Sequence, residues 1–417
     1  MELSACEAGQ RLTSMLKSVF QAGECLQRGI CDFAPTLLTP SAYTSRGLMR
    51  TTLYVARQSA ELLALFAPSN GAGCALREFQ SKLQVFDLFE NVDIVLRLPA
   101  GATPSLEELV RLANRLDRFS AVWATEGIGH YYAENAWETG AASRGLLTRI
   151  NERVVPRKSL VALHAGMGLS LANRFLARVG RACRKCSEPC DLRNLLRQFV
   201  KRCGDNADEA YVAASYEGLG LVARNLYPHL LAEIDRELSQ IGDNLTDYFW
   251  HGVGRAIYFA PTNYMPLLGF ASRGVELTQQ EPPHELGRRN ALAGTIWAMV
   301  LVNLREPKVI ENFLIYCADV KFDADAFANG VSSAAVIWCD ATESTAELEA
   351  LCMHQPDPSY SGVAERWCTL VRDPCRRALD QYYAALRRHN CIGEVFRYQS
   401  LPRLLESLDL NNAEGVG

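Results

Sequence analysis

"EGIGHYY" (126–132) sets an acid beside a Gly-x-Gly on an otherwise apolar run, and the chain returns to this arrangement. "HAGMGLSLA" begins at His164, "EGLGLVARN" at Glu217 and "HGVGRAIYF" at His251. Two eroded copies follow, "LAGTIWAMV" around Gly294 and "NGVSSAAVIW" around Gly330. The first glycines fall at 127, 166, 218, 252, 294 and 330. A recurrence at roughly 40 residues is the spacing of helical-hairpin repeats. Between the copies, apolar residues recur every three or four positions, as in "LEELVRLANRLDRF" and "HLLAEIDRELSQI". That period belongs to amphipathic helices with a charged outer face. Alternating, strand-like runs are scarce, the best being "NVDIVLRLP". The expected fold is therefore all-α, made of helical-hairpin repeats in a solenoid-like row, with the Gly-x-Gly segments as packing helices.

The glycines have a physical reason to be there. A glycine inside a helix costs up to about 1 kcal/mol relative to alanine. Losing the Cβ lets a neighbouring helix approach closely, and that packing can offset the loss. A dinucleotide fingerprint would need a third glycine, a preceding strand and a single occurrence. None of these is present.

Composition narrows the function. The 417 residues are 48% hydrophobic and 22% charged, enough to bury a large core without disulfides. A net charge of −4 and a pI near 6.0 argue against a nucleic-acid-binding face. The first twenty residues lack a basic segment followed by an unbroken apolar one, so no secretory signal is expected. The apolar runs are short or interrupted against the ~20 residues of a spanning helix, so no membrane span is expected and the cytoplasm is the expected compartment. Most of the fourteen cysteines sit singly on apolar segments, as Cys317, Cys339 and Cys368 do, where they read as small buried hydrophobes. Three parts are expected: an N-terminal helical extension (1–35), a helical repeat domain (36–345) with a cysteine-rich insertion at about 181–205, and a C-terminal helical segment (346–417).

The same segments resemble a bacterial family of unknown function best known beside enediyne polyketide synthases. "LLTPSAYTSRGL" (37–48) is similar to its Arg-Gly segment, and "VAERWCTLVRD" (363–373) to its closing Trp-Arg stretch. The similarity spans about residues 36 to 375 and rests on short glycine patterns. It implies an accessory biosynthetic role, binding or modifying an elongated polyketide or acyl-type intermediate. It carries no mechanism with it.

Two constellations can carry chemistry. If the repeats stack, the residues before the first glycines share a surface. Glu126, Glu217 and His251 hold that place, His164 stands one residue further back, and His130 follows Glu126 by one turn. With Arg255 close to His251, these are the candidate acid–base groups, and at least three of the Glu and His residues are expected to line one aromatic-walled cavity. Trp123, Tyr131, Trp250 and Tyr258 are the candidate ligand-binding walls. Each acid or histidine could equally cap or hydrogen-bond its own repeat. The second constellation is "CRKCSEPC", where Cys183, Cys186 and Cys190, with Cys203 further on, could close a zinc or iron site or remain a reactive, unligated loop. Two rival readings stay open beside the small-molecule one: a non-enzymatic helical scaffold for a synthase or carrier partner, and a metal-dependent redox protein. Nothing in the sequence decides whether the chain is an enzyme.

Overall fold

The computed structural model describes residues 71–414, apart from 100–103, 139–143, 149, 151–153, 185–190 and 261–269. Every regular element among the described residues is helical. The helices that position the site are α1 (Gly71–Glu90), α2 (Leu106–Ala113), α3 (Arg118–Glu138), α4 (Leu160–Arg184), α5 (Leu192–Asn206), α6 (Val212–Leu226), α7 (Leu231–Leu238), α8 (Leu245–Phe259), α9 (Phe270–Gln280), α10 (Glu285–Asn303), α11 (Pro307–Tyr316), α12 (Ala324–Thr342) and α13 (Ala346–Met353). Local chemistry fixes several starts. Ser105 accepts from the Glu108 N–H, Asp191 from Asn194 and Asp323 from Ala326, each satisfying an orphan donor of the first turn.

The glycine-bearing helices form one connected row. α3 packs on α4, α4 on α6, α6 on α8, α8 on α10 and α10 on α12. α12 also touches α4 and α3, so the row turns back toward its own start. Shorter helices lie against it from outside: α2 on α3, α5 on α4, α7 on α8, and α9 and α11 on α10. α1 packs against both α3 and α10. One stretch, Arg157–Val179, is long and apolar enough to cross a membrane, yet 83% of its apolar window is buried inside the protein.

Along the row the backbones nearly touch. A Cβ on Gly129 would lie 2.2 Å from the Leu163 carbonyl oxygen of α4, and one on Gly166 would meet the Glu126 carbonyl of α3 at 1.8 Å. Gly168 faces Ser215, and Gly220 faces the Phe249 carbonyl at 1.9 Å. Gly252 faces the Glu217 carbonyl, Gly254 the Ala291 carbonyl and Gly294 the His251 carbonyl, each at about 2 Å. The first glycine of each pair meets the preceding helix and the second meets the following one.

This arrangement dictates where other side chains point. At 100° per residue, the two glycines of a Gly-x-Gly stand about 200° apart on the helix. The residue just before the first glycine lies in the narrower arc between the two interfaces, facing inward. The residue two before it falls outside that arc.

Candidate functional site

Glu126 of α3, Glu217 of α6 and His251 of α8 occupy the pre-glycine position, and the structure brings all three together. Arg255, one turn beyond His251, joins them. Its Nη2 donates to Glu126 Oε1 at 2.5 Å and its Nη1 to Glu217 Oε2 at 3.2 Å. The other oxygen of Glu217 lies 2.8 Å from His251 Nδ1. None of the four side chains is more than 5% exposed. Two tryptophans flank the guanidinium, with Arg255 Cζ 5.9 Å from the Trp123 ring and 5.3 Å from the Trp297 ring. Trp297 and Phe396 both pack edge-on against His251 and lie tilted to one another.

The electrostatics separate the two carboxylates. Burial and the neighbouring Glu217 push Glu126 above the usual carboxylate range, although Arg255 pulls the other way. Burial also works to raise Glu217, but the Arg255 charge and the His251 hydrogen bond outweigh it and hold Glu217 below that range. Burial alone would lower Arg255; the two glutamates reverse this and fix its charge. Glu217 is thus the anion of the cluster, and it orients both Arg255 and His251.

Four polar atoms at this cluster have no hydrogen-bond partner although they are buried: His251 Nε2, Arg255 Nε, Trp123 Nε1 and Trp297 Nε1. Buried polar groups are normally satisfied, and leaving one unpaired costs about 1–3 kcal/mol. With Nδ1–H given to Glu217, the neutral His251 ring presents its Nε2 lone pair. This is the orientation a general base needs.

His130 and His164 lie apart from the cluster. The His130 ring packs on Phe89 of α1, with centroids 5.3 Å apart. His164 stands two before its glycine, outside the inward arc, and α4 places Ala165 at the inward position instead. The His164 Nδ1–H donates to the Leu160 carbonyl at 2.6 Å, and its Nε2 accepts from the Asp208 N–H at 2.9 Å. Burial lowers its pKa to about 4, against the opposing Leu160 hydrogen bond and Asp208 charge. It is a neutral tie between α4 and the start of α6.

The candidate aromatic walls divide similarly. Trp123 borders the cluster. Trp250, one residue before His251, is fully buried but points away from the cluster and donates to Asp235 of α7 at 2.7 Å. Tyr258 faces inward two turns beyond His251, where it accepts from Asn303 at 2.8 Å and lies 3.8 Å beneath the Lys82 ammonium. Tyr131 is half-buried at the edge of the core. Of the four cysteine candidates, only Cys203 has a described side chain; it is fully buried in the apolar core, where burial pushes its thiol well up. The side chains of Cys183, Cys186 and Cys190 lie outside the described residues. Among the described residues no group of His, Cys, Asp or Glu is arranged to hold a metal.

A cleft of about 740 Å³ is lined by Arg157, Tyr211, Tyr216, Tyr248, Cys391 and Glu394 among others, with none of the four cluster residues on its wall. Tyr216 directly precedes Glu217, and Tyr248 stands one turn before His251. The short helical segment Ile392–Phe396 separates cleft from cluster, since Gly393 and Glu394 line the one while Phe396 packs on His251. Sequence reading passed over Phe396 and also Asp340, a buried carboxyl facing the Tyr211 hydroxyl. Burial raises Asp340 to about 6. An aspartate inside the small-residue run "SSAAVIWCDA" was the available signal. No protein-family model, curated protein or solved structure matches the chain.

Proposed function

We propose that the protein binds a small organic molecule between the cleft and the Glu126–Arg255–Glu217–His251 cluster, with His251 Nε2 and Arg255 Nε facing its polar end. The observation that carries this reading is the convergence of four unpartnered buried polar atoms on one ion cluster. A carboxylate or carbonyl would accept from Arg255, and His251, oriented by Glu217, would accept or return a proton. The cleft's 740 Å³ is within the range of small-molecule sites, and three tyrosines give it flat walls. Ile392–Phe396 would have to shift for the two spaces to join. The class of ligand, an elongated acyl or polyketide-type chain in a natural-product pathway, follows from the resemblance of the glycine segments. We also assign those segments to one repeated unit, a helical hairpin whose glycines seat the next hairpin; the close approaches along α3, α4, α6, α8 and α10 support this.

Titration with cis-parinaric acid, a fluorescent linear polyene acid, tests the reading. Saturable fluorescence enhancement with the wild type, weakened at least about tenfold in His251→Asn, is expected. A tenfold loss corresponds to about 1.4 kcal/mol, the size of one hydrogen bond to a charged group. Absence of saturable binding would instead favour a helical scaffold for a synthase or carrier partner. That second reading draws on the near-complete burial of all four side chains of the cluster.

A further inference from the structure

The helices after α12 hold a second reactive arrangement, remote in kind from the acid–base cluster. α13 is followed by α14 (Val363–Trp367), a π-turn (Cys368–Arg372) and α15 (Asp373–Arg377), and α13 packs on α15. Cys352 Sγ of α13 lies 3.8 Å from the Arg372 carbonyl oxygen, one turn before Cys375. Cys375 Sγ of α15 lies 3.9 Å from the Leu348 carbonyl oxygen, one turn before Cys352. Each thiol thus reaches the turn that carries the other, so the two sulfurs face one another across the interface. Neither is in a disulfide. Cys375 is fully buried; Cys352 is 6% exposed and precedes Met353, which is 66% exposed.

We propose that Cys352 and Cys375 form a reversible disulfide, and that a hydroperoxide oxidises Cys352 first. The surroundings separate the two roles. The Cys375 S–H and the Arg376 and Arg372 charges favour the Cys352 thiolate, whereas its bond to Cys352 and burial keep Cys375 protonated. The Cys352 sulfur attacks one peroxide oxygen, the O–O bond breaks, and the leaving oxygen departs as hydroxide or alkoxide. This gives Cys352 sulfenic acid. The Cys375 sulfur then attacks the Cys352 sulfur, the S–O bond breaks, and the Cys375 proton leaves with that oxygen as water. The two thiols lose two electrons, and the peroxide is reduced to water or to water and an alcohol. The new bond ties α13 to α15.

The test uses the reduced full-length chain, treated with hydrogen peroxide, alkylated and peptide-mapped by mass spectrometry. The Cys352–Cys375 cross-linked peptide should appear before Cys368 or Cys391, which are more exposed, are modified, and dithiothreitol should remove it. In Cys375→Ser, dimedone should trap a sulfenic acid on Cys352. The proposal is overturned if Cys352 still alkylates fully once Cys368 and Cys391 are oxidised, or if Cys375 pairs with the nearby Cys339. The wild-type map decides alone should Cys375→Ser fail to fold.

Discussion

Gly220→Ala and Gly204→Ala make the same chemical change with opposite expected signs. Both glycines lie in helices, so each alanine gains up to about 1 kcal/mol of helix propensity. Gly204, on the outer helix α5, has nothing within 4 Å of an added Cβ and should realise that gain. Gly220 faces the Phe249 carbonyl oxygen at 1.9 Å, and ordinary contact begins at 3.4 Å. Restoring contact requires α6 and α8 to separate by about 1.5 Å, because a backbone carbonyl in a helix cannot swing aside. Overpacking of a core costs about 1–3 kcal/mol, and a backbone obstruction belongs at the upper end. After the propensity gain, the net loss at Gly220 is about 2 kcal/mol. Differential scanning calorimetry should show Tm lowered by roughly 2 °C for Gly220→Ala and raised by roughly 1 °C for Gly204→Ala. If both substitutions moved Tm in the same direction, the account of the glycines as seats for neighbouring backbones would be refuted.

His164 makes stability depend on pH. Its folded pKa of about 4 lies below the ordinary 6.5, so its contribution is complete above pH 6.5 and is lost as pH falls toward 4. The loss is about 3 kcal/mol by pH 4, and urea unfolding at pH 7 and pH 4.5 should show a smaller pH dependence in His164→Gln than in the wild type. Glu217→Gln leaves the buried Arg255 without the cluster's anion and the His251 Nδ1–H without its carboxylate, and should cost about 3–5 kcal/mol. Glu126→Gln keeps an acceptor for Arg255 at a position where ionisation is already disfavoured, and should cost about 1 kcal/mol. Equal losses in thermal unfolding of these two variants would contradict the assignment of Glu217 as the cluster's anion.

Much of this was legible in the sequence because one geometric rule governs it. A Gly-x-Gly on a helix defines two close interfaces and, with them, the inward direction of the residue before it. Glu126, Glu217 and His251 could be grouped by their shared place before a glycine, but the same grouping took in His130 and His164, which lie elsewhere. His164 shows how finely the rule cuts: one residue of offset turns a candidate base into a tie to the Asp208 amide. Trp250, though fully buried, points away from the cluster for the same reason. Phe396 was not legible, since it arrives from a segment far along the chain with no glycine pattern of its own. The reciprocal placement of Cys352 and Cys375 was hidden likewise, because it depends on how α13 meets α15 rather than on any spacing between cysteines.

The central claim is that His251 Nε2, with Nδ1 committed to Glu217, meets a ligand. The imidazole ¹⁵N spectrum of chain labelled at histidine reads this directly, with His251→Asn supplying the assignment. In the free protein the His251 signals should show a protonated Nδ1. On saturation with cis-parinaric acid the His251 Nε2 resonance should shift, while the Nδ1 resonance keeps its proton and the signals of His164 stay in place. If the His251 Nε2 resonance does not respond to saturating ligand, the cluster is a strut of the helical row and the binding account is wrong.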